Sequence, residues 1–171
     1  PIESALSGIM DRDYGDITKW YSYRRNFTIP ENMKGKEILL HFGAVDWRSF
    51  VYVNGELVGQ HDGGFDPFYF NITSKLQDGA NELVVQVYDP SSAGGQPGGK
   101  QHNSPGGIFY TPATGIWQTG WLESVNPKHI KDCRIIPDID NKKATFNVKA
   151  ENAAANTKVT IIIFDSGAQV G

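Results

Sequence analysis

Apolar and polar residues alternate with a period of two through much of the chain. Tyr23, Arg25, Phe27 and Ile29 share one face of a run that Pro30 ends. Ile38, Leu40 and Phe42 repeat the pattern, and Phe50-Val51-Tyr52-Val53 is a more evenly apolar run. Asn54-Gly55 then separates that run from Glu56-Leu57-Val58. A type I′ turn needs positive φ at both central residues, so this dipeptide predicts a two-residue β-hairpin. Further strands are expected at 68–72, 83–88 and 117–125, with Gly79-Ala80-Asn81 as the turn before the second. No 3.6-residue stripe competes, and residues 3–10 or 72–78 hold one short helical turn at most. Short strands at regular spacing predict an all-β chain of sandwich or jelly-roll type.

Residues 90–107 interrupt the rhythm with a long Gly-, Ser- and Pro-rich excursion. Excursions of this length are either functional or disordered. A second change of character falls near Asn126-Pro127. Beyond it, strands are expected at 130–136, 144–148 and 159–164, divided by Asp140-Asn141 and by residues 151–156. Three strands are too few for an immunoglobulin-like sandwich, which takes about seven. The expectation is a cut inside a second β-domain, and a start at Pro1 partway along a longer chain.

Composition narrows the chemistry. Nineteen glycines and 12% aromatic residues suit tight turns and strands. A net charge of −3 with scattered Lys and Arg argues against a nucleic-acid partner. The single cysteine, Cys133, excludes an intramolecular disulfide framework and a cysteine-rich metal site. No apolar run approaches the roughly 20 residues of a membrane span. His41, His61, His102 and His129 lack metal-ligand spacing, so neither a metal nor another cofactor is expected. Gly94-Gly95 and Gly98-Gly99 lack the Lys-Ser/Thr of a phosphate loop, and no serine has a Gly-x-Ser-x-Gly setting. Asn81-Glu82 sits in a turn feeding a buried strand and is rejected as a catalytic pair. Asp46, Asp62, Asp66 and Asp89 lie near strand ends, where carboxylates are more often turn formers than acids or bases. Of Trp20, Trp47, Trp117 and Trp121, two or three are expected in the core, with Trp47 in Val45-Asp46-Trp47-Arg48 the expected exception.

Several segments resemble, in order and spacing, the N-terminal sugar-binding domain of family 2 glycoside hydrolases, the β-galactosidase and β-glucuronidase group. They are Tyr23-Arg24-Arg25-Asn26-Phe27-Thr28-Ile29-Pro30, Leu40-His41-Phe42-Gly43-Ala44-Val45-Asp46 and Val51-Tyr52-Val53-Asn54-Gly55-Glu56-Leu57-Val58-Gly59. Two more follow, Gly79-Ala80-Asn81-Glu82-Leu83-Val84-Val85-Gln86-Val87 and Thr114-Gly115-Ile116-Trp117-Gln118-Thr119-Gly120-Trp121-Leu122-Glu123. The resemblance covers residues 3–125.

The resemblance implies a galactose-binding-like jelly roll over residues 1–126. It implies the first strands of an immunoglobulin-like domain over 127–171. It places both catalytic glutamates in a (β/α)8 barrel of the same parent chain, of about 250 residues. This chain is therefore expected to contain no catalytic residue and to be inert alone. The carbohydrate partner implied is a β-galactoside or β-glucuronide, met by the candidates Asp46, Trp47, Arg48, Asp62, Phe109 and Tyr110. Relatives carry an Asp six residues before the Gly of the Gly-Ile-Trp motif. That position is Phe109 here, which implies a different or larger substrate. The fragment does not set its own compartment, and a periplasmic or extracellular bacterial protein is the expectation. An independent carbohydrate-binding module and a structural spacer of a surface protein are the alternatives.

Overall fold

A computed structural model of the chain describes residues 20–91, 93–102 and 104–171. The helical turn expected at 3–10 lies outside them. Backbone proximity divides the chain into one unit ending at Val125 and a second, Asn126–Gly171.

Among its described residues the first unit has nine strands: β1 (Trp20–Thr28), β2 (Glu37–Phe42), β3 (Val45–Asp46), β4 (Arg48–Val53), β5 (Glu56–Asp62), β6 (Phe68–Asn71), β7 (Ala80–Tyr88), β8 (Gly115–Ile116) and β9 (Gly120–Val125). Single 3-10 turns at Glu31–Met33 and Thr73–Lys75 are its helical elements among the described residues. One sheet runs β1-β7-β4-β5, a second β6-β2-β9, and β3 pairs with β8; every named pairing is antiparallel.

Period-2 alternation explains how the two sheets make one core. Val51 and Val53 of β4 and Val85 and Val87 of β7 are buried on one sheet, and Ile38, Leu40 and Phe42 of β2 on the other. Tyr23, Phe27, Val58, Phe68, Phe70, Leu83 and Leu122 pack around them. Burying each such aliphatic side chain contributes roughly 1.5–3 kcal/mol. The evenly apolar run at 50–53 proves to alternate: Val51 and Val53 point inward, while Phe50 and Tyr52 lie on the other face and are only half-buried.

Asn54 and Gly55 adopt φ of 52° and 80°, the two positive values a type I′ turn requires. The hairpin is also tied to the rest of its sheet. Asn54 Nδ2 donates to Lys75 O at 2.7 Å and to Asn81 Oδ1 at 2.8 Å, and Asn54 Oδ1 accepts from Glu82 N at 2.9 Å. Asn81 is 1% exposed. Its side chain also accepts from Gln77 N and donates to Gln77 O and Gly79 O, so the buried amide is fully engaged.

In the second unit, β10 (His129–Asp138) and β11 (Lys143–Glu151) form a hairpin whose turn is capped by Asp138 accepting from Asn141. Cys133 opposes Val148 and Ile135 opposes Phe146 across it. A strand was expected at 159–164. Only β12 (Phe164–Asp165) pairs there, with β13 (Ala168–Gln169). Residues 159–162 have no ladder partner among the described residues, and apolar pattern alone cannot supply one.

Candidate functional site

One end of the first unit gathers β3, the start of β4, the end of β5 and the excursion after β7. Ladder pairing of β4 with β5 sets Arg48 opposite Asp62. The guanidinium grips the carboxylate twice, Nε to Oδ1 at 2.8 Å and Nη2 to Oδ2 at 2.7 Å. This bond holds the Asp62 carboxyl below its usual range. Arg48 also lies over the Trp47 ring, with Cζ 4.8 Å from the centroid. The Asp46–Trp47 peptide bond is cis.

Asp46 faces the other way. It is 5% exposed, and its Oδ2 accepts from Gln101 Nε2 at 3.0 Å. Burial pushes its carboxyl up to about 6, against the downward pull of the Gln101 bond and with a further push from Asp89. A side chain at Gly64 would strike the Asp46 carboxyl, so the loop after β5 passes directly over it. Trp117 fixes that loop, donating from Nε1 to Gly64 O at 2.7 Å and meeting Phe65 edge-on at 6.0 Å. Trp117 was expected within a strand, but β9 begins only at Gly120, and Trp117 sits in the short link after β8.

The excursion is a laced structure in the residues described. Gln101 is its strut: beyond its bond to Asp46, its Oε1 accepts from Ala113 N at 2.5 Å. Its backbone makes a bridge with Tyr110, beside bonds from Tyr110 N to Lys100 O and from His102 N to Tyr110 O. Asp89 anchors the base, accepting from Ser91 N at 2.7 Å and from Thr114 Oγ1 at 3.0 Å, and burial raises its pKa. Held by these anchors, Ile108, Phe109 and Tyr110 stay exposed, Tyr110 by 64%. His102 lies 5.3 Å from the Phe109 ring, and Lys100 Nζ lies 5.7 Å from the Tyr110 ring.

Among the described residues no group of three His, Cys, Asp or Glu side chains could hold a metal ion, and no helix is long and apolar enough to cross a membrane.

The same order of segments decides the family. Residues 4–116 match the model described as glycosyl hydrolase 2 galactose-binding domain-like. The chain belongs to this glycoside hydrolase family 2 domain family. A β-galactosidase of Thermoanaerobacter pseudethanolicus is 36% identical over 132 residues, which cover 75% of this chain and 16% of that protein. A crystal structure of a β-glycosidase from Bacteroides vulgatus aligns with a TM-score of 0.59 at 30% identity, covering 79% of this chain and 16% of the other. The Bacteroides uniformis β-glucuronidase aligns with a TM-score of 0.55 at 30% identity, over 71% of this chain and 14% of the other. The family 2 domain described here thus spans about a sixth of the length of the curated relatives it matches first.

Of the sequence candidates, Trp47, Arg48 and Asp62 form one contact group, while Tyr110 is bridged to Gln101, which bonds Asp46, and Phe109 lies beside His102. Asp46 stands behind them as a buried support. Two or three of the four tryptophans were expected in the core. Trp20 and Trp121 are exposed and Trp47 and Trp117 half-buried, so none of the four lies in the core of this family 2 domain. Gln101 and Asp89 were missed as anchors. Gln101 carries no local signal, since its partner Asp46 is 55 residues away in sequence.

Proposed function

We propose that this chain is the non-catalytic, carbohydrate-facing N-terminal domain of a β-glycosidase that hydrolyses O-glycosidic bonds of β-galactosides or β-glucuronides. The Trp47-Arg48-Asp62 group and the Phe109-Tyr110 tip face the sugar. A (β/α)8 catalytic domain elsewhere in the parent chain supplies the chemistry. The observation that carries this reading is the Gln101 strut, which holds an exposed aromatic tip on a buried carboxylate. A preorganised aromatic surface positions a substrate, and three of the four candidate carboxylates, Asp46, Asp62 and Asp89, are otherwise occupied. Asp46 is buried on Gln101, Asp62 is gripped by Arg48, and Asp89 is bound to Ser91 and Thr114. General acid–base work at a sugar needs a carboxyl that can reach the glycosidic oxygen.

Residues 126–171 belong to this reading as the first strands of an immunoglobulin-like domain. Support comes from the β10–β11 hairpin, where the Cys133, Ile135, Phe146 and Val148 positions share one apolar face of the kind a sandwich covers.

Incubation of the chain with nitrophenyl β-galactoside and nitrophenyl β-glucuronide tests the proposal. No release of nitrophenol above buffer is expected. Turnover that disappears in Asp46→Ala or Asp62→Ala would overturn it.

A further inference from the structure

The outer face of the four-stranded sheet carries two cross-strand rows set by the ladder register, the first of them sharing the Arg48–Asp62 pair with the site described above. Trp20, Tyr88, Arg48 and Asp62 form the first, across β1, β7, β4 and β5. Ser22, Gln86, Phe50 and Gln60 form the second, one pleat along. Trp20 stacks on Tyr88, centroids 5.1 Å apart with planes 29° apart, and lies 5.7 Å from Phe50. With two rings behind it, the indole is still 48% exposed. Gln60 and Gln86 make no side-chain hydrogen bond among the described residues, although they flank the aromatic cluster.

Charge on this face is cancelled pair by pair. Arg48 is bound by Asp62, and further along the same face Arg24 Nε lies 3.1 Å from Glu82 Oε2. Arg24 and Glu82 share the pleat parity of Trp20 and Tyr88, and Lys is absent from these rows. Among the described residues of this face, a ligand carrying a carboxylate or phosphate would find no uncommitted cation. A neutral ligand with an apolar face and a rim of hydroxyls would find an open indole, two amides and a serine hydroxyl. Pyranose rings have that form: their C–H face packs on an aromatic ring, and their hydroxyls bond to amides and to the outer edges of an Arg–Asp pair.

We propose that this row is a binding platform for neutral glycan chains, with Trp20 as the stacking ring and Gln60 and Gln86 as the hydroxyl partners. It lies on the sheet face and uses none of the excursion. It therefore stands whether or not the Phe109-Tyr110 tip meets a substrate. Such a platform holds a polymeric carbohydrate near the molecule while a separate site acts on it.

Calorimetric titration of the 171-residue chain with cellotetraose, β-1,4-galactotetraose and a tetraglucuronic acid tests the platform. Saturable binding of at least one neutral tetrasaccharide is expected, with a Kd on the order of 0.1–5 mM and little change with salt. Trp20→Ala should weaken it by roughly tenfold or more, which corresponds to losing about 1.4 kcal/mol of stacking. Ile139→Ala, at an exposed position of the second unit, should leave it within about twofold. Gln60→Ala with Gln86→Ala, which touches no core residue, should weaken it about five-fold and covers the case of a Trp20 variant that fails to fold. The platform is overturned by the absence of saturable binding to both neutral tetrasaccharides, by tighter binding of the uronide, or by loss of binding in Tyr110→Ala with Trp20→Ala unchanged. That last outcome would assign the affinity to the excursion tip instead.

Discussion

Gln101 Nε2 donates to Asp46 Oδ2 at 3.0 Å, joining the middle of a glycine-rich excursion to a carboxylate buried 55 residues earlier in the chain. The same side chain accepts from Ala113 N, so one residue closes both ends of the excursion's second half.

Replacing Gln101 by Ala leaves a buried carboxyl and a backbone N–H without their partner. A loss of roughly 1–3 kcal/mol in urea unfolding is expected, because buried polar groups left unpaired lose their solvation without compensation. The excursion should also open locally, so limited proteolysis should cut between Lys100 and Tyr110 faster than in the parent chain. Equal cleavage rates and equal midpoints would show that Gln101 does not brace the excursion.

Asp46 gives the chain a specific pH dependence. Its carboxyl ionises near 3.8 when unfolded and is pushed up to about 6 in the fold. The folded state therefore holds more protons than the unfolded state between these values. The stability this group contributes is present at pH 4 and is lost as pH rises through about 6, by up to roughly 3 kcal/mol for a shift of about two units. Asp62, held below its usual range by Arg48, works in the opposite direction at lower pH. Comparing the parent with Asp46→Asn isolates the first effect. The variant should gain on the parent as pH goes from 4 to 7, and a gap that stays flat would refute the assignment.

At the opposite end of the four-stranded sheet, Asn81 is almost wholly buried and holds both Asn54 and Gln77. Asn81→Ala should cost about 2–4 kcal/mol, since it strands several donors and acceptors and leaves a small cavity. The midpoint of thermal unfolding, followed by circular dichroism, should fall by roughly 5–15 °C for a domain of this size. Asn81→Asp should recover part of the loss, because one carboxylate oxygen can still accept from Gln77 N.

Gly59 lies where β5 crosses the Phe70 ring, and a Cβ there would overlap that ring. Gly59→Ala should destabilise by about 1–3 kcal/mol through overpacking of the core. Gly95→Ala provides the control, because a Cβ at Gly95 meets nothing within 4 Å. Similar losses in both variants would show that the close approach at Gly59 carries no cost.

Local pattern determined much of this molecule. Period-2 alternation placed the apolar faces of β1 and β2, and Asn54-Gly55 specified its hairpin, because pleat and positive φ are properties of a few adjacent residues. Ordered family segments reached the same domain by resemblance. Tertiary structure decided the rest. Only packing shows that Asp46 turns inward while its neighbour Arg48 turns outward to Asp62, that Trp20 lies exposed on a sheet face, and that Gln101 braces the excursion. Those roles depend on partners 14 to 68 residues away, which register and sheet order bring together and which no local window of sequence contains.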